Sequence, residues 1–188
     1  MPTLKVTPRL AAFLDLIAAS EGTSSSPIST ADGYDIIVSG VNGPNRFDDF
    51  SQHPFAGGRE PILVRAARTI PAQVANDSQG HPQTLPMVSE PAIHSTASGR
   101  YQIILPTWKA IAVHGAYTLF NPQTQDLAAL DLISDHKCNA PIFAGDLTTA
   151  IHTLSAVWAS LPGNLYGQGG RTLAWLQAKY VECLEALL

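Results

Sequence analysis

Five prolines, Pro61, Pro71, Pro82, Pro86 and Pro91, fall between Phe55 and Ser95, with Pro54 and Pro106 flanking them. Proline removes a backbone donor and its ring clashes with a preceding helical turn, so this spacing predicts no helix or strand of any length there. Ile62 to Ala67 is the one apolar piece and is expected as a short strand or a turn of helix. Residues 55–94 therefore read as an extended loop insertion, an excursion from one domain spanning 1–188. A second domain is not expected in so short a chain, since domains most often run about 100–200 residues. A hydrophobic share of 45% against 14% charged residues leaves material for a real core and excludes a disordered chain.

Regular structure must then come from the two flanks. From Pro8, the residues Leu10, Phe13, Leu14 and Ile17 follow the i, i+3, i+4, i+7 stripe of an amphipathic helix, and Ser20-Glu21-Gly22 ends it on a glycine stop. Thr23 to Asp32 has loop composition, and Gly33 to Gly40 reads as a β-branched strand of a small hairpin or sheet. Past Arg100 the pattern turns helical. Pro106 suits the first turn of a helix through His114, and Asn121-Pro122 opens another through about His136. Asp146 is expected to cap a third, with Ile151, Leu154, Val157 and Trp158 on one stripe, stopped by Leu161-Pro162-Gly163. A last helix starts near Arg171 and carries Leu173, Leu176, Tyr180, Cys183, Leu184 and Leu187. About five helices and a small β element make an α+β chain, mainly helical.

Charge and motif content narrow the function. A net charge of −4 supplies no basic field for phosphates, so neither nucleic acid nor an anionic membrane is an expected partner. Arg9 and Asp15 interrupt the first apolar run, so no signal peptide is expected, nor any membrane insertion, and the chain is expected in the cytoplasm at synthesis. Cys138 and Cys183 are too few for a disulfide framework and match no zinc spacing. The six histidines lack metal-binding spacing, and the glycine runs lack phosphate-loop spacing, so no metal and no cofactor are expected.

Glu21 is the strongest candidate for chemistry. The carbonyl end of a helix carries about half a negative charge, which disfavours a second one and raises a carboxyl pKa from about 4.3. A carboxyl still protonated near neutral pH can serve as a general acid. A two-carboxylate glycosidase needs a partner roughly 5–9.5 Å away, and Asp32 and Asp35 are the nearby options.

Four stretches, in order along the chain, carry a resemblance: Ala12 to Thr23 with its Ser-Glu-Gly-Thr end, Gly33 to Val38, Gly99-Arg-Tyr-Gln102, and Trp158 to Gly163 followed by Tyr166-Gly-Gln168. Together they resemble the lambda-type bacteriophage endolysins, over roughly residues 10–54 and 95–182. The resemblance implies a lysozyme-like α+β fold with a small sheet beside the active-site cleft. It implies a lytic transglycosylase that cleaves the β-1,4 bond between N-acetylmuramic acid and N-acetylglucosamine, leaving a 1,6-anhydro muramic end. Glu21 matches the catalytic glutamate, acting as acid and then as base. Gln102 is expected beside it on the sugar, with Tyr34, Asp35, Tyr101 and Tyr166 as candidates for the cleft walls.

The implied partners are peptidoglycan glycan strands and a separate holin-type permeabilising protein that gives a monomeric enzyme access to the periplasm. A hydrolytic muramidase is the near alternative, and an inert peptidoglycan-binding or virion protein the distant one. The segment from Phe55 to His94 is much longer than the family's corresponding loop. Long loops in compact domains are usually functional or disordered, so it is expected as a lip over the sugar groove or a contact to another wall component.

Overall fold

The computed structural model describes residues 1–163 and 170–188, and its centre is a helix, α1 (Pro8–Ser20), with proline in its first turn. The stripe read from the sequence understates its burial, because every residue from Leu10 to Ser20 except Asp15 is buried. A helix apolar all round belongs inside a fold. Asp15 is accommodated by Arg100, whose Nη2 lies 2.6 Å from Asp15 Oδ1.

β1 (Ile36–Gly40) and β2 (Gly43–Arg46) form an antiparallel hairpin with an irregular step between Ile37 and Gly40. Gly40 touches the next element so closely that a Cβ there would stand 2.4 Å from Ile62 Cγ2 and 2.8 Å from Leu63 O. Only glycine permits that approach. Val41 N–H then donates to Leu63 O at 2.9 Å and ties the hairpin to the root of the following segment.

That segment is not the loop its prolines suggest. It is a two-legged antiparallel ribbon in three rungs: β3 (Ile62–Arg65) with β8 (Ile93–Ser95), β4 (Arg68–Ile70) with β7 (Val88–Glu90), and β5 (Gln73–Asn76) with β6 (Pro82–Leu85). The prolines survive because none occupies a strand interior. Pro61 precedes β3, Pro82 opens β6, and Pro71, Pro86 and Pro91 follow β4, β6 and β7. In a two-stranded ribbon one edge of each leg faces outward, so a missing donor at a strand end costs no ladder bond. The breaks are matched: 66–67 faces 91–92, and 71–72 faces 86–87. Glu90 spans the first break, accepting from Arg68 Nε at 2.8 Å and from Arg65 on the neighbouring rung. At the tip, Asp77 Oδ1 accepts from the N–H groups of Gln79 and His81 at 2.8 and 2.9 Å, an Asx-type turn completed by Gly80.

Among the described residues five helices follow. α2 (Leu105–His114) leads to α3 (Pro122–Asp135), whose Asn121 cap accepts from Thr124 N–H at 2.9 Å. α4 (Asn139–Ala144) is too short to show a period in sequence, and Gly145 in the left-handed region closes it. The expected third helix divides: α5 (Leu147–Leu154) keeps its Asp146 cap, 3.1 Å from Thr149 N, while Val157 and Trp158 lie in the turns beyond it. α6 (Leu173–Glu185), capped by Thr172, lies against α1. The buried apolar residues form one cluster from Leu10 to Tyr180. No helix among the described residues is long and apolar enough to cross a membrane.

Candidate active site

The end of α1 sets the candidate acid. Gly22 adopts φ +76°, its N–H donates to Ala19 O at 3.2 Å, and Thr23 N–H donates to Ala18 O at 3.0 Å. This pair of bonds around a left-handed glycine is a Schellman stop, with Glu21 as the last residue before the chain turns away. Thr23 Oγ1 lies 2.5 Å from Arg100 O and joins that turn to the Gly99–Gln102 loop.

Glu21 and Gln102 face a common cleft of about 520 Å³. Among the described residues its walls come from five places: β1, the ribbon root with Val64, Ile93 and His94, the 102–104 stretch with Thr107 of α2, the end of α3 with His136, and the turns after α5 with Trp158. Burial pushes the Glu21 carboxyl up to about 7, against hydrogen bonds from the Ser160 side chain and backbone that favour the charged form. The helix carbonyls ending beneath it work in the same direction as burial. Ser160 Oγ donates to Glu21 Oε1 at 2.7 Å.

Gln102 sits at φ +50° in a tight turn, its N–H donating to Gly99 O at 3.2 Å and its Nε2 to the same oxygen at 3.0 Å. Gly99 must be glycine, since a Cβ there would fall 2.1 Å from Gln125 Oε1. That buried amide braces the loop, accepting from Arg100 N–H at 2.9 Å and donating to Tyr34 O and Phe120 O.

The structure moves three expected wall residues elsewhere. Tyr34 and Tyr101 are 3% and 0% exposed, and their rings meet edge to face rather than lining the cleft. Both hydroxyls donate to Asp126 Oδ1 at 2.7 Å, and burial followed by that carboxylate pushes both phenols well above their ordinary range. The polar tip that suggested a sugar contact satisfies a core acid instead. Asp126 Oδ2 also takes Thr3 N, Thr3 Oγ1 and Leu4 N at 2.6, 2.8 and 3.2 Å. Asp35 is buried as well, accepting from Ser29 Oγ, Thr30 N and Thr30 Oγ1. Burial opposes its charge, but those donors outweigh it and hold the carboxyl below its usual range. Tyr166 lies outside the described residues.

Asp32, the other nearby carboxylate, is half exposed and engaged with Arg100 Nη1 at 3.0 Å and with the N-terminal amine. Among the described residues that line the cleft, Glu21 is the one carboxylate. No group of three His, Cys, Asp or Glu among the described residues is placed to hold a metal ion.

Sequence reasoning missed Ser160, Arg100 and Asp126, and of the ribbon root it reached only the piece from Ile62 to Ala67 that holds β3. Ser160 and Arg100 stand inside the stretches that carried the resemblance, so they were visible as members of motifs but without a role. Asp126 had no local signal, because its tyrosine partners are 92 and 25 positions away.

The model of the Endolysin family matches residues 11–72 and 58–186. The endolysin of Escherichia phage P2 is 38% identical over 92% of this chain and 91% of its own length. That of Escherichia phage lambda is 33% identical over 91% and 88%. Bacteriophage lambda lysozyme, solved in complex with a chitohexasaccharide, superposes with a TM-score of 0.74 at 31% identity, covering 96% of this chain and 97% of that one.

Proposed function

The chain belongs to the endolysin family, and from that premise we propose that it is a lytic transglycosylase with Glu21 as sole acid and base. Its substrate on this reading is the glycan strand of peptidoglycan. The reading is supported by a related lysozyme binding a chitohexasaccharide. The observation that carries it is that Glu21 is the one carboxylate among the described residues of the cleft. A hydrolase of the two-carboxylate kind needs a second acidic side chain as nucleophile or to activate water. Asp32 and Asp35, the options nearest in sequence, are spent on Arg100, the amino terminus and the 29–30 loop.

In this mechanism Glu21, protonated because it is buried, gives its proton to the glycosidic oxygen as the bond from that oxygen to the anomeric carbon breaks. The muramic 6-hydroxyl attacks the anomeric carbon, and its proton passes to the Glu21 carboxylate. One C–O bond is exchanged for another, no water is consumed, and the acid is regenerated. A carboxyl poised near 7 suits both halves of that cycle. Gln102, fixed by its own turn on the same cleft, is assigned to sugar hydroxyls or acetamido groups. Tyr34, Tyr101 and Asp35 are assigned to holding the loops that present these two side chains.

Mass spectrometry of digested sacculi tests the reading. Muropeptides lighter by one water than the hydrolysed form are expected, and reducing ends in their place would show a muramidase.

The ribbon is proposed as a lip of the groove, since Val64, Ile93 and His94 at its root line the cleft. Removing residues 68–90 and joining the legs across the first matched break is expected to lower lysis of intact sacculi several-fold. Cleavage of short soluble oligosaccharides, which the retained root can still hold, should change less than about twofold. Equal loss on both substrates would mean that the outer rungs shape the cleft itself, and no loss on either would remove the lip. As a monomer made in the cytoplasm, the enzyme would meet its substrate in the periplasm through a separate permeabilising protein.

A further inference from the structure

The catalytic carboxyl is held by a residue 139 positions away. Ser160 Oγ is 2.7 Å from Glu21 Oε1 and 2.8 Å from Ser20 Oγ. Ser160 is itself held firmly. Its carbonyl accepts from Arg171 N–H at 2.9 Å, and Gly170 is packed so near that a Cβ would stand 2.8 Å from that carbonyl oxygen. Each serine has one hydroxyl proton. Ser20 can spend its own on Ile17 O, 2.9 Å away, or on Ser160 Oγ, and in either arrangement Ser160 is free to donate to Glu21.

We infer that Ser160 is a positioning residue for Glu21: by occupying Oε1 it leaves the transferable proton to Oε2 and keeps the carboxylate oriented between the acid and base steps. The inference rests on Glu21 being the acid and base proposed above. The carbonyl oxygen of a neutral carboxyl is a better acceptor than its hydroxyl oxygen, so a fixed donor on Oε1 favours the hydrogen on the other oxygen. After that proton leaves, the same donor stabilises the charge without moving. Burial alone would push Glu21 further up, and hydrogen bonding from Ser160 pulls against it.

No charged neighbour competes for this role. Besides Glu21, the titratable groups on the cleft walls among the described residues are His94 of β8 and His136 after α3. Asp15 on α1 is paired with Arg100, and Tyr101 in the adjoining loop is bonded to Asp126.

The test is the titration of glutamate side-chain carboxyl carbons by NMR in the full chain, with Glu21→Gln assigning the signal. Ser160→Ala is expected to raise the Glu21 midpoint by about one pH unit. At a pH low enough to protonate Glu21 in both proteins, kcat on sacculi should fall about tenfold while KM stays within about twofold. An unmoved midpoint, or a loss carried by KM, would overturn the assignment. If the alanine variant melts too low to titrate, Ser160→Cys keeps the side-chain reach but weakens the donor, and an unmoved midpoint there overturns it equally. A shifted midpoint together with hydrolysed products would leave the positioning role standing and remove the transglycosylase reading.

Discussion

Glu21→Gln is expected to abolish lysis, with a loss on the order of 10³–10⁴-fold, because one side chain is asked to be both the acid and the base. The amide keeps the shape of the carboxyl and can still meet Ser160, so the variant should fold and bind glycan; what disappears is the proton. In the wild type the same proton sets the pH dependence. On the proposed mechanism Glu21 must be protonated to begin the cycle, and a carboxyl pushed up to about 7 predicts a rate that falls about tenfold per pH unit above that value.

Stability should move the other way. Folded Glu21 holds its proton to about pH 7, whereas an ordinary glutamate releases it near 4.5. The raised value favours the folded state fully below 4.5, and that advantage drains away as pH rises to 7, where the buried carboxylate becomes a burden. Glu21→Gln should therefore unfold at higher denaturant than the wild type at pH 8, by on the order of 2–3 kcal/mol, and gain little at pH 4. Equal denaturation midpoints at pH 8 would mean that the carboxyl is not held in a costly state.

The second large effect concerns a residue that touches no sugar. Asp126→Ala removes an acceptor from two buried phenols and from Thr3 and Leu4. Stranding buried donors costs more than a single hydrogen bond is worth, so a loss of about 3–5 kcal/mol is expected. For a chain of this size that corresponds to roughly 6–20 °C in the melting temperature. Adding Tyr34→Phe and Tyr101→Phe to Asp126→Ala takes away the stranded hydroxyls and should recover part of the loss. A triple variant no more stable than the single one would mean that the acid matters through its N-terminal contacts, not through the tyrosines.

What could be read from the sequence was what is local. The stripe from Leu10 to Ile17, the glycine stop at Gly22 and the caps at Asn121 and Asp146 each depend on neighbours within a few positions, and each is present in the fold. Glu21 was legible for the same reason, since its place at a helix end is a local fact. Tyr34 and Tyr101 read as wall residues because a ring with a polar tip serves a sugar cleft and a buried acid equally well, and the deciding partner, Asp126, is remote in sequence. The ribbon is hidden by its prolines because the rule that excludes proline from strands applies only to ladder interiors. Pro71, Pro86 and Pro91 all fall between rungs.

The matched breaks also separate reach from chemistry. Each rung of the ribbon closes its own hydrogen bonds and ends opposite a break on the other leg, so the arm has the logic of a ladder that can be cut or extended by whole sections. Excising one section shifts no pairing in the section below it, and β3 and β8 remain in register against Gly40 and the cleft. A change in arm length by whole sections would therefore leave the root, and Glu21 across the cleft from it, where they are.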